Sequence, residues 1–432
     1  MRAPPGTGTG STAMILMLGV CVGGCSIRHL GVPGNGMVEG DGGPHPTDGG
    51  PQRDGGPPGD ETDAHPTPDG PLPGLDAHES ACVTAAVQLP WSVPATGTPP
   101  RLEIAVTANA VAVLNRQGKQ ADVRTYRRNG TLIAGFQFAA DAQFLPYNDS
   151  RFLLVARGVT GDFVATTLDP DLVASTRLFM ATANATEHLL RAVSLSPTAV
   201  VAISDEHFVN IATGDIVSWS TVLDAGDRDG LKNGRIYGIA GRPDRVMLAW
   251  GGSDVLRVAA LTASGGLIAR TADDNYLGYL GSDTTTAVPF ETGLLMFDGN
   301  PVRLTQIAYD LSRVPLNQNT QLRTFYRTAP RVSATVAQGR PVAFWLTVFP
   351  ANDNSQGFTT HQLYGCELDP TDAATCLRTA LVAETGLGGY GIASQPVAAA
   401  AFPGEAAFAI AHSDSAGGTW LRIADLSCAT GR

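Results

Sequence analysis

The feature that most constrains this 432-residue chain is a unit that recurs about every 47 residues between residues 81 and 432. Each unit is an apolar strand, a polar hairpin, a second strand and a short turn containing Asp or Gly. Examples are "AVAVLNRQG…VRTYRRNGTLIAG", "AVVAISDEHFVNIATGDIVSW" and "RVMLAWGGSDVLRVAALTASGGLIA". The centres of the leading strands fall near Ala112, Leu154, Val201, Leu248, Met296, Phe344 and Phe408, at steps of 42, 47, 47, 48, 48 and 64 residues. Each unit also has a preceding apolar segment, such as "RLEIAVTA", "RAVSLS", "RIYGIAG", "RVSATVA" or "PVAAAAF". No stretch reads as a helix of four turns; "TEHLLRAVSL" is the best short candidate and reads equally well as a strand.

A period near 47 fits four strands of about six residues plus turns, the size of one propeller blade. Seven units predict an all-β fold, a seven-bladed β-propeller of four-stranded blades over residues 81–432. The 50 Gly and 29 Pro suit many turns better than long helices. Two or three β-sandwiches in tandem would not keep so even a step, and no linker interrupts residues 81–432.

The cysteines suggest how such a ring closes. In the sixth unit Cys366 ends a third strand and Cys376 begins a fourth. In the seventh, the third strand "LRIADLSC" ends at Cys428 and no fourth follows. The segment "ACVTAAVQL" at residues 81–89 resembles the strand after Cys376, so the N-terminal strand is expected to complete the last blade. Disulfides Cys82–Cys428 and Cys366–Cys376 follow from that alignment. The first closes a very long loop, worth up to about 5 kcal/mol on the loop-entropy account. Zinc is not indicated, because no CxxC spacing exists.

Ahead of the repeats, residues 13–22, "AMILMLGVCV", form an apolar run too short to span a bilayer. It leads into "VGGC", with Val22 at −3, Gly23 and Gly24, then Cys25. This resembles the bacterial lipobox, which implies a signal peptide over residues 1–24 and lipidation of Cys25. The resemblance implies a partner, the membrane, held through acyl chains, in the cell envelope. Ser26 in place of a retention Asp points to the outer membrane or cell surface. Residues 26–80 hold 13 Gly, 10 Pro and no aromatic residue. They cannot offset backbone ordering entropy, so residues 25–80 are expected to form a disordered tether.

Net charge is −11, which excludes a nucleic-acid partner needing a basic surface. GxSxG, HExxH and GxxxxGK[ST] are absent, and no cofactor or metal is indicated. "DAGDRDGLKNG" at 224–234 fails alignment to a calcium loop and reads as a turn. "SDSAGGTW" at 413–420 is similar to the sialidase Asp-box, with Ser415 where the Asp should stand. "ATGDIVSW" at 212–219 resembles hairpins of pyrroloquinoline-quinone-type blades. Both resemblances imply blade hairpins only.

Arginine opens the inner strand of four units: Arg101, Arg191, Arg235 and Arg331. Inner strands line the channel and start on one face, so these guanidiniums are candidates to bind carboxylate or phosphate. The long step of 64 reflects an insertion, "FPANDNSQGF", expected to open on that same face. The function expected is a non-enzymatic binding module for a protein or glycan ligand, anionic on the arginine argument. The alternative is a propeller hydrolase or lyase acting on glycans. That requires paired carboxylates or a Tyr/His couple at the mouth, where the inner strands offer Glu103 and little else acidic.

Overall fold

The computed structural model describes residues 82–92, 101–117, 120–139, 142–157, 162–181, 187–196, 198–233, 235–251, 255–273, 286–290, 293–298, 302–319, 332–350, 359–369, 376–388, 397–414 and 417–428. The expected signal peptide, Cys25 and the tether lie outside them, as do Arg331 and residues 351–358.

The described strands form seven four-stranded antiparallel sheets. Six are consecutive meanders. The first, for example, runs Arg101–Val106, Ala110–Gln117, Gln120–Arg127 and Leu132–Ala139. The leading strands of neighbouring blades adjoin one another around a closed ring, from Arg101–Val106 through to Val397–Ala401 and back. This is the seven-bladed propeller that the period predicts. "RAVSLS" belongs to an inner strand, Leu189–Ser196, and not to a helix.

The apolar runs are continuous because each blade is covered on both faces. Along Ala199–Ser204, Val201 and Ile203 pack against the fourth blade, while Val200 and Ala202 pack against the second. The buried clusters therefore lie in the seams between blades rather than in one central core. Space is shortest near the axis. A Cβ on Gly238, in the inner strand Arg235–Arg242, would stand 2.4 Å from the Ala287 carbonyl of the next blade. Inner strands are sheet edges, and polar side chains from the neighbouring blade bond some of their N–H groups. Gln143 Oε1 accepts from Ala192 N–H at 2.6 Å, and Ser333 Oγ accepts from Ala399 N–H at 2.9 Å.

The seventh blade is composite. Its strands Val397–Ala401, Ala407–Ser413 and Gly418–Asp425 are completed by Val83–Ser92 from the start of the domain. Val87 pairs with Leu421 in the middle of that junction. Cys82 is bonded to Cys428 with Cα atoms 5.5 Å apart, as the alignment predicts. Cys366 is also disulfide-bonded and buried. Its strand pairs with the one that Cys376 opens, Leu368 facing Cys376. The side chain of Cys376 lies outside the described residues.

One expectation fails. "DAGDRDGLKNG" is not a turn but the core of a helix, Ala225–Asn233, preceded by a helical turn at Trp219–Val222. Asp224 Oδ1 accepts the N–H of Asp227 at 2.9 Å, which caps the helix start. Leu231 anchors it among Trp219, Leu223 and Trp250. Helix formation follows from this cap and single anchor, which a search for apolar periodicity does not register.

Candidate functional site

Inner strands begin, and second strands end, at one end of every blade. At this mouth, Glu103 lies one turn of the pleat inside Arg101 on the first inner strand. Arg116, near the end of the neighbouring strand, pairs with Arg101 across the sheet. Arg191 comes from the inner strand of the third blade.

All three arginines converge on Glu103. Arg101 Nε lies 3.4 Å from Oε1, Arg191 Nη1 3.3 Å from Oε1, and Arg116 Nη2 3.3 Å from Oε2. Arg116 also donates to the Ala142 carbonyl, tying the first blade to the second. Glu103 is 12% exposed, Arg116 14% and Arg191 21%, so water screens them poorly. Burial acts to raise the Glu103 pKa, but Arg116, Arg101 and Arg191 outweigh it and hold the carboxyl below its ordinary range. Arg191 moves the other way for an arginine. Burial first, then Arg101, push its pKa down to about 9, Glu103 opposes this, and Arg116 and Arg235 add to the depression. Three guanidiniums converge on one carboxylate. The arrangement is suited to receiving an anion through charge-assisted hydrogen bonds.

Two of the four predicted arginines, Arg101 and Arg191, thus meet at one acid. Arg235 opens the fourth blade's inner strand and acts on Arg191 electrostatically. Arg331 lies outside the described residues. Arg116 is absent from the sequence prediction because it closes a second strand instead of opening an inner one.

The sixth blade extends over the same end. Its inner strand stops pairing at Val332, opposite Trp345, but Leu346–Pro350 runs on against Thr359–Leu363. The fourth strand follows to Gly388. A three-stranded wing, about 17 Å long for five residues, therefore rises on the mouth side where the insertion was expected.

The hairpin resembling an Asp-box uses Asp414 rather than position 415. Asp414 Oδ1 accepts from Gly418 N–H at 2.8 Å and Oδ2 from Trp420 Nε1–H at 2.7 Å. "ATGDIVSW" also forms a hairpin, with Gly214 at φ +78° and Trp219 buried. Trp250 is core, its indole N–H donating to the Asp227 carbonyl at 3.1 Å. Beneath the hairpin His412 is buried; Arg422 Nε donates to its Nε2 at 3.0 Å. Burial first, then Arg422, hold its pKa at about 4, so the ring is neutral at physiological pH.

No family model matches the chain, and no curated protein does. Among solved structures, the chain is similar to the WD40 domain of Toxoplasma gondii coronin: 10% identity, TM-score 0.42, covering 81% of this chain and 88% of that one. It is also similar to the periplasmic gluconolactonase of Pseudomonas aeruginosa: 13% identity, TM-score 0.42, covering 69% and 90%. Likenesses this distant assign no activity.

Proposed function

We propose that the chain is an exported, membrane-anchored binding module whose channel mouth takes an anionic protein or glycan ligand. The observation that carries this reading is the convergence of Arg101, Arg116 and Arg191 on Glu103. The wing on the same side adds a wall to that surface. The glycan-enzyme alternative is less well supported. Glu103 is held ionised by its arginines, which unsuits it as a proton donor.

Binding of residues 81–432 to arrays of acidic and neutral glycans and to acidic peptides tests the reading. Selective, salt-sensitive retention of acidic ligands is expected. Equal retention of neutral ligands, unchanged by Arg191→Gln, would overturn it. The anchor rests on "VGGC": Cys25→Ser should shift the protein out of the membrane fraction. Acyl labelling that persists in that variant refutes it.

A further inference from the structure

The ring closes where the seventh blade, completed by the N-terminal strand, meets the first. Three buried oxygens turn into that seam at its mouth end. Along Ala407–Ser413, the side chains of Ala407, Ala409 and Ala411 pack with Val111 and Val113 of the first blade, and Ser413 continues their face. Thr419 pairs with Ser413 on one side and with Leu89, a member of the same cluster, on the other. From the first blade, Asn115 continues the face of Val111 and Val113 and pairs with Leu102 of that cluster. Trp91, two residues beyond Leu89, spans the seam. Its indole N–H donates to Asp122 Oδ2 at 3.1 Å, and Asp122 is the cross-strand partner of Asn115.

Ser413 and Thr419 are 0% exposed and Asn115 is 6% exposed. Ser413 Oγ, Thr419 Oγ1 and Asn115 Oδ1 have no hydrogen-bond partner among the described residues. No other buried side-chain oxygen of the described residues lacks one, and all three of these belong to one seam. Buried polar groups are nearly always paired, with protein or with ordered water. Three unpaired oxygens gathered at one place point to a shared partner.

Chemistry selects that partner. Asn115 Oδ1 only accepts, whereas the two hydroxyls donate or accept. A water donates to the first and exchanges hydrogen bonds with the others, and about three such bonds are its usual complement in a protein interior. A metal ion is the poorer match. Asp122, the carboxylate on this face, is already engaged by Trp91, by Gln137 at 3.4 Å and by Arg124 at 3.5 Å. We propose that the closing seam binds a buried water that bridges Ser413 and Thr419 of the seventh blade to Asn115 of the first. It fastens the ring at the mouth end, and the Cys82–Cys428 bond fastens it at the other.

Thr419→Val keeps the side-chain shape and removes one hydroxyl, so the sign of its effect tests the bridge. With the water in place the variant loses a satisfied bond, and its melting temperature should fall by about 2 °C. A melting temperature that stays level or rises means that an unpaired hydroxyl was removed, and overturns the proposal. A crystal structure of the unaltered protein, at a resolution that orders water, gives a second reading that needs no variant. One density peak is expected within about 3.2 Å of at least two of the three oxygens, one from each blade. No peak, or a direct hydrogen bond between Asn115 and either hydroxyl, overturns the proposal. So does a peak with six or more oxygen ligands at about 2.4 Å, which marks a cation.

Discussion

Glu103 and Asp227 stand at the same end of the blades, equally buried at 12% and 11% side-chain exposure, and both are ringed by arginine. Their partners differ in number. Asp227 accepts from Arg257 Nε at 3.0 Å and also from Arg270. Arg270 donates to Asp224 as well, at 2.7 Å. There, two carboxylates meet two guanidiniums. Glu103 alone faces three. The arginines differ in burial as well, Arg270 being 38% exposed and Arg191 21%. The hydrogen bond to Asp224, then Asp227, raises the Arg270 pKa, while burial and then Arg101 lower that of Arg191. The two acids are equally buried, but one shares its arginines with a second carboxylate and the other faces three guanidiniums by itself.

The largest effect expected from breaking this contrast is on the balanced side. Asp227→Ala strands Arg257, while Arg270 keeps Asp224, and should cost about 3 kcal/mol, read as a lower denaturant midpoint. A loss below about 1 kcal/mol, as for an exposed pair, would erase the distinction. On the unbalanced side, Arg191→Gln should weaken binding of an acidic ligand roughly tenfold, about 1.4 kcal/mol, by calorimetry. Its melting temperature should stay level or rise, because a buried like charge is removed. A fall in melting temperature with binding intact would make Arg191 a structural ion-pair member. Glu103→Gln should instead tighten acidic-ligand binding a few-fold, since the ligand then has no internal rival.

The smallest effect is with pH. The folded pKa of Arg191 lies below its unfolded value, so the native state holds that proton less tightly. The destabilisation is complete below about pH 9 and is relieved as pH rises through 9 toward the ordinary arginine range. Acidic-ligand affinity should therefore decline modestly between roughly pH 8 and 10 in the unaltered protein. A decline of the same size in Arg191→Gln would assign it to another group.

The fold was largely legible because burial on both faces writes itself as continuous apolar runs, as in Ala199–Ser204. Closure was legible because Cys82 and Cys428 each end a segment that lacks its partner in sequence. The mouth was legible in part. Arg101, Arg191 and Glu103 lie at marked positions on inner strands, but Arg116 reaches Glu103 across the sheet from a position with no repeat signature. The Ala225–Asn233 helix was illegible because Leu231 is its one large apolar anchor, and its polar face is written in ion pairs that only the fold assembles. Asp414, one position early, does its work through hydrogen bonds that a spacing template does not register.

The bond between Cys82 and Cys428, 346 positions apart, makes nearly the whole propeller a covalent macrocycle. A protease that cuts one peptide bond in a surface turn, such as Asn129–Gly130, would not divide the molecule. It would move the free ends to the cut and leave the blades in the same cyclic order, as a circular permutation does. The nicked protein should migrate as one species until a reductant is added, and only then separate into two fragments.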